Sequence, residues 1–162
     1  MTTVVSLAPA PTPLPIPAPL PSADQGCHDW RPAVLRWEDD FCRRHPQALR
    51  ILSPEEARAV LEAVFGPCGR PAPALLLVPG FEDPQIGGWA DAAGHRILIE
   101  DGFLHAYLLL HEAAHLLVPE DKQHGAAFIR VARALYSAFL RIPDGDLAVL
   151  ARAHGLPAEA VA

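Results

Sequence analysis

The stretch His111-Glu112-Ala113-Ala114-His115 holds the residue types and spacing that can do chemistry in this 162-residue chain. Residues four apart on a helix face the same way. His111 and His115 can therefore offer imidazole nitrogens to one Zn2+ at about 2.0–2.1 Å each. Glu112 is too poorly aligned with that pair to be a third ligand at the same point, but its carboxylate can reach a water on the metal. In this H-E-x-x-H arrangement zinc lowers the water's pKa toward ~7, and the glutamate takes its proton as it attacks a carbonyl. The competing reading is two helix histidines satisfied by backbone or water, with Glu112 exposed. The neighbouring Tyr107-Leu108-Leu109-Leu110 favours the metal. It suggests burial, and burying two histidines and a glutamate without a partner is costly.

A catalytic zinc needs a third protein ligand and an open position. The nearest candidates are Glu120, Asp121, His124 and Asp144. His124 fits best. Pro119 ends the motif helix, and 119–123 is long enough to fold back. Gly125 gives the backbone freedom at the next helix start, and Phe128, one turn on, can pack that helix against the motif helix. Glu120 and Asp121 read as a solvated turn or as acceptors for an imidazole N–H, and Asp144 as a weaker alternative ligand. A metzincin would need glycine where Val118 stands and a third histidine where Asp121 stands; with Met1 the only methionine, no Met-turn is possible.

The elements that must position these residues follow from periodicity and breakers. Residues 33–45 carry Val34, Trp37 and Phe41 at helical spacing, limited by Pro46. Ser53-Pro54-Glu55-Glu56 is a helix start with a capping box, and Ala57, Val60, Leu61 and Val64 give one apolar face before Gly66-Pro67. Leu75–Val78, between Pro73 and Pro79, reads as a buried strand. Gly87–Ala90 begins a second strand or a turn, and Ala92-Ala93-Gly94 is a turn. His95–Glu100 is the best strand. A helix fits Phe103–Val118, with Asp101 as N-cap. Another fits Gly125–Arg141, whose stripe is Phe128, Ile129, Ala132, Leu135, Tyr136 and Phe139. A last helix runs from a cap at Asp144 or Asp146 to His154, with Gly155 as its stop. Trp37, Trp89 and Tyr136 are assigned to the core, and Cys42 reads as a buried small hydrophobe.

The pattern HEAAH followed by His124-Gly125-Ala126-Ala127-Phe128 resembles the H-E-x-x-H…H-G-x-x-F pattern of SprT-like zincins. It is closer still to small bacterial metallohydrolases of zincin-like fold, which resemble this chain from roughly Trp30 to Gly155. The resemblance implies an α+β minimal zincin domain, a small mixed sheet packed on the motif helix and the helices after it. It also implies His111, His115 and His124 on zinc with Glu112 as base. By the same analogy His95–Glu100 would be an edge strand bordering the cleft, where an extended peptide could align by strand addition. No oxyanion helper is identifiable; Tyr107, His95 and His105 are candidates that more often pack or lie at the surface. SprT-type proteases acting on DNA–protein crosslinks usually add a zinc ribbon and a basic surface, and both are missing here.

Charge and composition bound the partners. Thirteen Lys and Arg against 19 Asp and Glu give a net charge of −6. Lys122 is the only lysine, so no basic footprint exists and no nucleic acid is expected. Cys27, Cys42 and Cys68 form no C-x-x-C pair and read as reduced thiols. No apolar run approaches the ~20 residues of a membrane span. The N-terminus lacks a basic region before Arg31, so it does not read as a signal peptide and a cytoplasmic location is expected. Every odd position from Pro9 to Pro21 is proline, which no helix or central strand tolerates. Residues 1–28 thus read as a disordered Pro-rich arm, 29–156 as the zincin-like domain and 157–162 as a tail. Residues 9–21 read as a spacer or as a ligand for a proline-recognition partner. The expected function is zinc-dependent hydrolysis of a peptide or protein substrate. The alternative is a non-catalytic zinc-stabilised interaction domain.

Overall fold

Apolar stripes decide where the helices of this chain lie. The computed structural model describes residues 30–119 and 124–158. The Pro-rich arm, Cys27, Glu120, Asp121 and most of the tail therefore lie outside the described residues. Among those described, helix α1 (Arg31–Arg44) opens with Pro32 in its first turn and buries Val34, Trp37, Glu38, Phe41 and Cys42. A short tight turn, Pro46–Leu49, follows. Helix α2 (Pro54–Phe65) begins at the expected capping box: Ser53 Oγ accepts from the Glu56 N–H, and Glu56 accepts from the Ser53 N–H. The remaining helices are α3 (Ala106–Leu117), α4 (Ala126–Leu140) and α5 (Asp144–Ala153).

The sheet has three strands, β1 (Ala74–Val78), β2 (Gly88–Asp91) and β3 (Arg96–Glu100), in the order β1-β3-β2. β3 runs parallel to β1 and antiparallel to β2, so the architecture is mixed α+β. Two strand expectations are corrected. β3 is the central strand, not an edge, because both its sides are paired. β1 is an edge strand and only partly buried, with Leu76 40% and Leu77 41% exposed. Trp89 is not in the core: it is 54% exposed. The register sets Leu76, Leu98 and Trp89 side by side across one face of the sheet.

The helix over 103–118 starts later than expected, and Asp101 does not cap it. Gly102 turns the chain through a left-handed conformation at φ +87. His105 then pairs in an isolated bridge with Ile51, and the Ala106 N–H donates to the Arg50 carbonyl. That bridge holds His105 in extended backbone at φ −73 and ψ 144, and α3 begins behind it. Pro143, not an aspartate side chain, precedes α5. Asp144 and Asp146 sit in its first turn, where acidic groups suit the helix dipole, and Gly155 ends it at φ +72.

The core lies where α1, α3, α4 and α5 meet. Trp37, Phe41 and Tyr136 pack ring on ring, at centroid distances of 5.6 Å (Trp37–Phe41), 5.7 Å (Trp37–Tyr136) and 4.9 Å (Phe41–Tyr136). Trp37 Nε1 donates to the Leu147 carbonyl at 3.2 Å, tying α1 to α5. Arg133 reaches Asp144 at 2.6 Å, tying α4 to α5. Cys42 is buried as expected, and burial first, then the nearby carboxylates, pushes its thiol up to about 12.

The capping box yields a stability test. Ser53→Ala removes the N-cap acceptor and is expected to cost about 1 kcal/mol in urea unfolding. The Ser53 N–H, and then Arg50, hold the Glu56 carboxyl below its ordinary value. A folded value below the unfolded one stabilises above the unfolded value and is lost as pH falls through the folded one. The stability gap between wild type and Glu56→Gln should thus be widest near neutral pH and close as the pH falls through the lowered folded value.

Candidate metal centre

α3 is apolar enough to run through the middle of the molecule, against α4 on one side and β2 on another. His111 and His115 therefore enter a buried environment, each 7% exposed. Their Nε2 atoms stand 3.1 Å apart. The chain leaves α3 at Val118 and re-enters the described structure at His124, one residue before the Gly125 N-cap of α4. His124 Nε2 lies 3.4 Å from His111 Nε2. The ligand atoms of all three residues fall within 4.8 Å of one another. The expected third histidine thus joins the other two, at a half-buried position. The left-handed turn that brings it there falls on His124 itself, at φ +54, rather than on Gly125. A histidine in that sparsely populated region is a feature of functional sites.

Phe128 makes the wall behind the cluster. Its ring stacks on His115 at 4.4 Å and touches His111 at 5.0 Å and His124 at 4.9 Å. This residue was expected to pack α4 on the motif helix, and it does so through the imidazoles.

Spacing and chemistry both fit a cation. Ligand nitrogens about 2.0–2.1 Å from a tetrahedral centre are separated by about 3.3–3.4 Å, and the two close Nε2 pairs bracket that value. His111 Nδ1 faces the Glu38 carboxylate at 2.7 Å. That acceptor keeps a proton on Nδ1, so Nε2 is the atom aimed into the cluster. Burial, reinforced by His111 and His124, pushes His115 down to about 2, so its ring is neutral, the form that binds metals. Its Nδ1 is the one buried side-chain nitrogen or oxygen among the described residues without a hydrogen-bond partner. For His111, burial pushes down but the Glu38 charge and hydrogen bond outweigh it, raising the group to about 9, so a metal would have to displace the proton from its Nε2. The residues His111, His115 and His124 could hold a metal ion.

Glu112 lies on the adjoining side of α3, against β2. The Ala90 N–H donates to its carboxylate. A methyl group added at Gly88 would lie 2.8 Å from Glu112 Oε1 and 3.0 Å from its Cγ, so the carboxylate occupies the space a larger residue would need. Burial pushes Glu112 up to about 7, against the pull of His111.

The other candidates go elsewhere. Asp144 is taken by Arg133. His95 Nε2 meets the Pro71 carbonyl and His105 Nδ1 the Leu49 carbonyl. Tyr107 packs edge-on against Phe41 and stacks on His105. An acceptor for the His111 imidazole N–H is found at Glu38 on α1, whereas Glu120 and Asp121 lie outside the described residues. Its signal was present in the sequence: Val34, Trp37, Glu38 and Phe41 form one helical stripe, so a carboxylate stands among core positions. Tyr136 is a core residue as expected, but its hydroxyl also donates to Glu38 Oε1 at 2.5 Å. Compared with protein-family models, curated proteins and solved structures, the chain gives no significant match.

Metal binding predicts a linked stability change. A divalent cation at 100 times its Kd should stabilise the fold by about 2.7 kcal/mol, read as a rise in Tm that a chelator reverses. His115→Ala should abolish the rise.

Proposed function

We propose that the chain is a zinc-dependent metallohydrolase of minimal zincin-like fold, acting on peptide bonds. One observation carries this reading: two imidazoles of α3 and one just before α4 converge, while the carboxylate next in sequence to His111 is held on the adjoining side of α3, against a strand edge. Histidine nitrogens suit zinc, copper, iron and nickel; a set of three with room for a water or substrate is the donor set of catalytic zinc. Zinc, when bound, supplies a Lewis acid that polarises a carbonyl and acidifies water.

The remaining work falls to the chain. Glu112 takes a proton from water as the water oxygen bonds to the carbonyl carbon. It then delivers that proton to the leaving amine as the carbon–nitrogen bond breaks. The Ala90 N–H keeps the carboxylate in place.

β2 supplies the place for substrate main chain. The Glu100 N–H donates to the Gly87 carbonyl, so in this register the pairs 87–100, 89–98 and 91–96 exchange hydrogen bonds. Gly88 and Ala90 turn their main-chain groups away from β3, toward Glu112. Glu112 takes the Ala90 N–H, so an extended peptide would pair through the remaining main-chain groups of that edge. The alternative, a non-catalytic metal-stabilised interaction domain, is favoured by the uncovered row Leu76, Leu98 and Trp89, since exposed apolar patches mark contact sites.

Two variants separate the readings. Glu112→Gln should keep metal and fold but lower hydrolysis of a peptide library by about 10²–10⁴-fold; an interaction domain has no hydrolysis to lose. Gly88→Ala should also keep metal while displacing the Glu112 carboxylate. Its expected effect is a drop in kcat of at least about tenfold, since small misplacements of a reacting group are costly. Unchanged turnover in Gly88→Ala would remove Glu112 from the reaction.

A further inference from the structure

We propose that Glu38 is a positioning residue of the metal centre, held in place by Tyr136 and acting through His111. The inference rests on the metal-binding part of the function proposed above. Three elements meet in this contact: Glu38 on α1, His111 on α3 and Tyr136 on α4. Glu38 is 3% exposed and Tyr136 fully buried. Both hydrogen bonds land on the same oxygen, Oε1, at 2.7 Å from His111 Nδ1 and 2.5 Å from the Tyr136 hydroxyl.

A buried carboxylate needs a compensating charge, and the ion-pair partner found for Glu38 among the described residues is the candidate ligand His111, at 2.7 Å. Its other partner is the Tyr136 phenol. The position lies in the apolar stripe of α1, where a leucine would fill similar space without a charge to desolvate. A divalent cation on the far nitrogen of His111 meets that charge through a single ring. In return the carboxylate fixes the His111 tautomer, stops the ring from turning and raises the donor strength of Nε2. Tyr136 limits the carboxylate to one orientation, because its O–H holds the oxygen that His111 needs. Burial and the Glu38 charge push the Tyr136 hydroxyl well above its ordinary value, so it remains a donor.

A purely structural tie would need only the two hydrogen bonds, which the amide oxygen of Glu38→Gln can still accept. The test measures Zn2+ affinity by competition with a chromophoric chelator and the visible spectrum of the Co2+-loaded full chain, with near-ultraviolet circular dichroism as the control for folding. Glu38→Gln is expected to bind Zn2+ about 10–100-fold more weakly and to shift the Co2+ bands. Tyr136→Phe, which keeps the charge but frees the carboxylate, should change both in the same direction by a smaller factor. Folded Glu38→Gln with wild-type affinity and spectrum overturns the proposal. If Glu38→Gln does not fold, unchanged affinity and spectrum in Tyr136→Phe overturn it instead. Wild type that takes up neither ion brings down the metal reading itself. Tight binding by wild type and by both variants brings down only the role of Glu38.

Discussion

Polar atoms gathered in an apolar interior must find partners, and this requirement governs the centre of the molecule. His111, His115, Glu112, Glu38 and Tyr136 all lie out of water, among Trp37, Phe41 and Phe128. Direct hydrogen bonds satisfy some of these groups: Tyr136 and His111 both serve Glu38. Within the cluster His111 Nε2 meets His115 Nε2 at 3.1 Å and His124 Nε2 at 3.4 Å, so the three rings turn their nitrogens toward one point, where a single cation could take all of them.

The geometry of α3 divides the work. Successive residues on a helix are about 100° apart, so His111 and Glu112 cannot both be ligands at the same point. The histidines look toward α1 and α4, which supply Glu38, Tyr136, Phe128 and His124. Glu112 looks toward β2, which supplies the Ala90 N–H and the space at Gly88. Ligands are thereby fixed by helix packing and the carboxylate by a strand edge. Each side can be rigid without constraining the other.

What could be read in advance followed from local chemistry. The capping box at Ser53 and Glu56, the breakers Pro46 and Gly155, and the i, i+4 histidines each depend on a few adjacent residues, and each took the form expected. The convergence of His124 was legible because Pro119, Gly125 and Phe128 restrict how the chain can return. The misreadings concern partners distant in sequence. Nothing local distinguishes β3 as a central strand from an edge, since that depends on β1, about twenty residues earlier. Trp89 looked like core on residue type alone, but it stands on the sheet face that no described helix covers. Asp101 lost its capping role to a bridge between His105 and Ile51. Glu38 is the instructive case. A charged residue inside the stripe Val34, Trp37, Phe41 signals a buried polar contact, yet its partner lies 73 positions away.

The central claim is that one metal ion sits among three histidine nitrogens with no sulfur ligand. X-ray absorption at the zinc edge, on full-length protein loaded with one equivalent and passed through gel filtration, tests it most directly. The expected spectrum shows retained zinc with a first shell of nitrogen or oxygen at about 2.0–2.1 Å and the outer scattering of imidazole rings. Loss of the metal on the column, or a shell at about 2.3 Å from the cysteines, would contradict it.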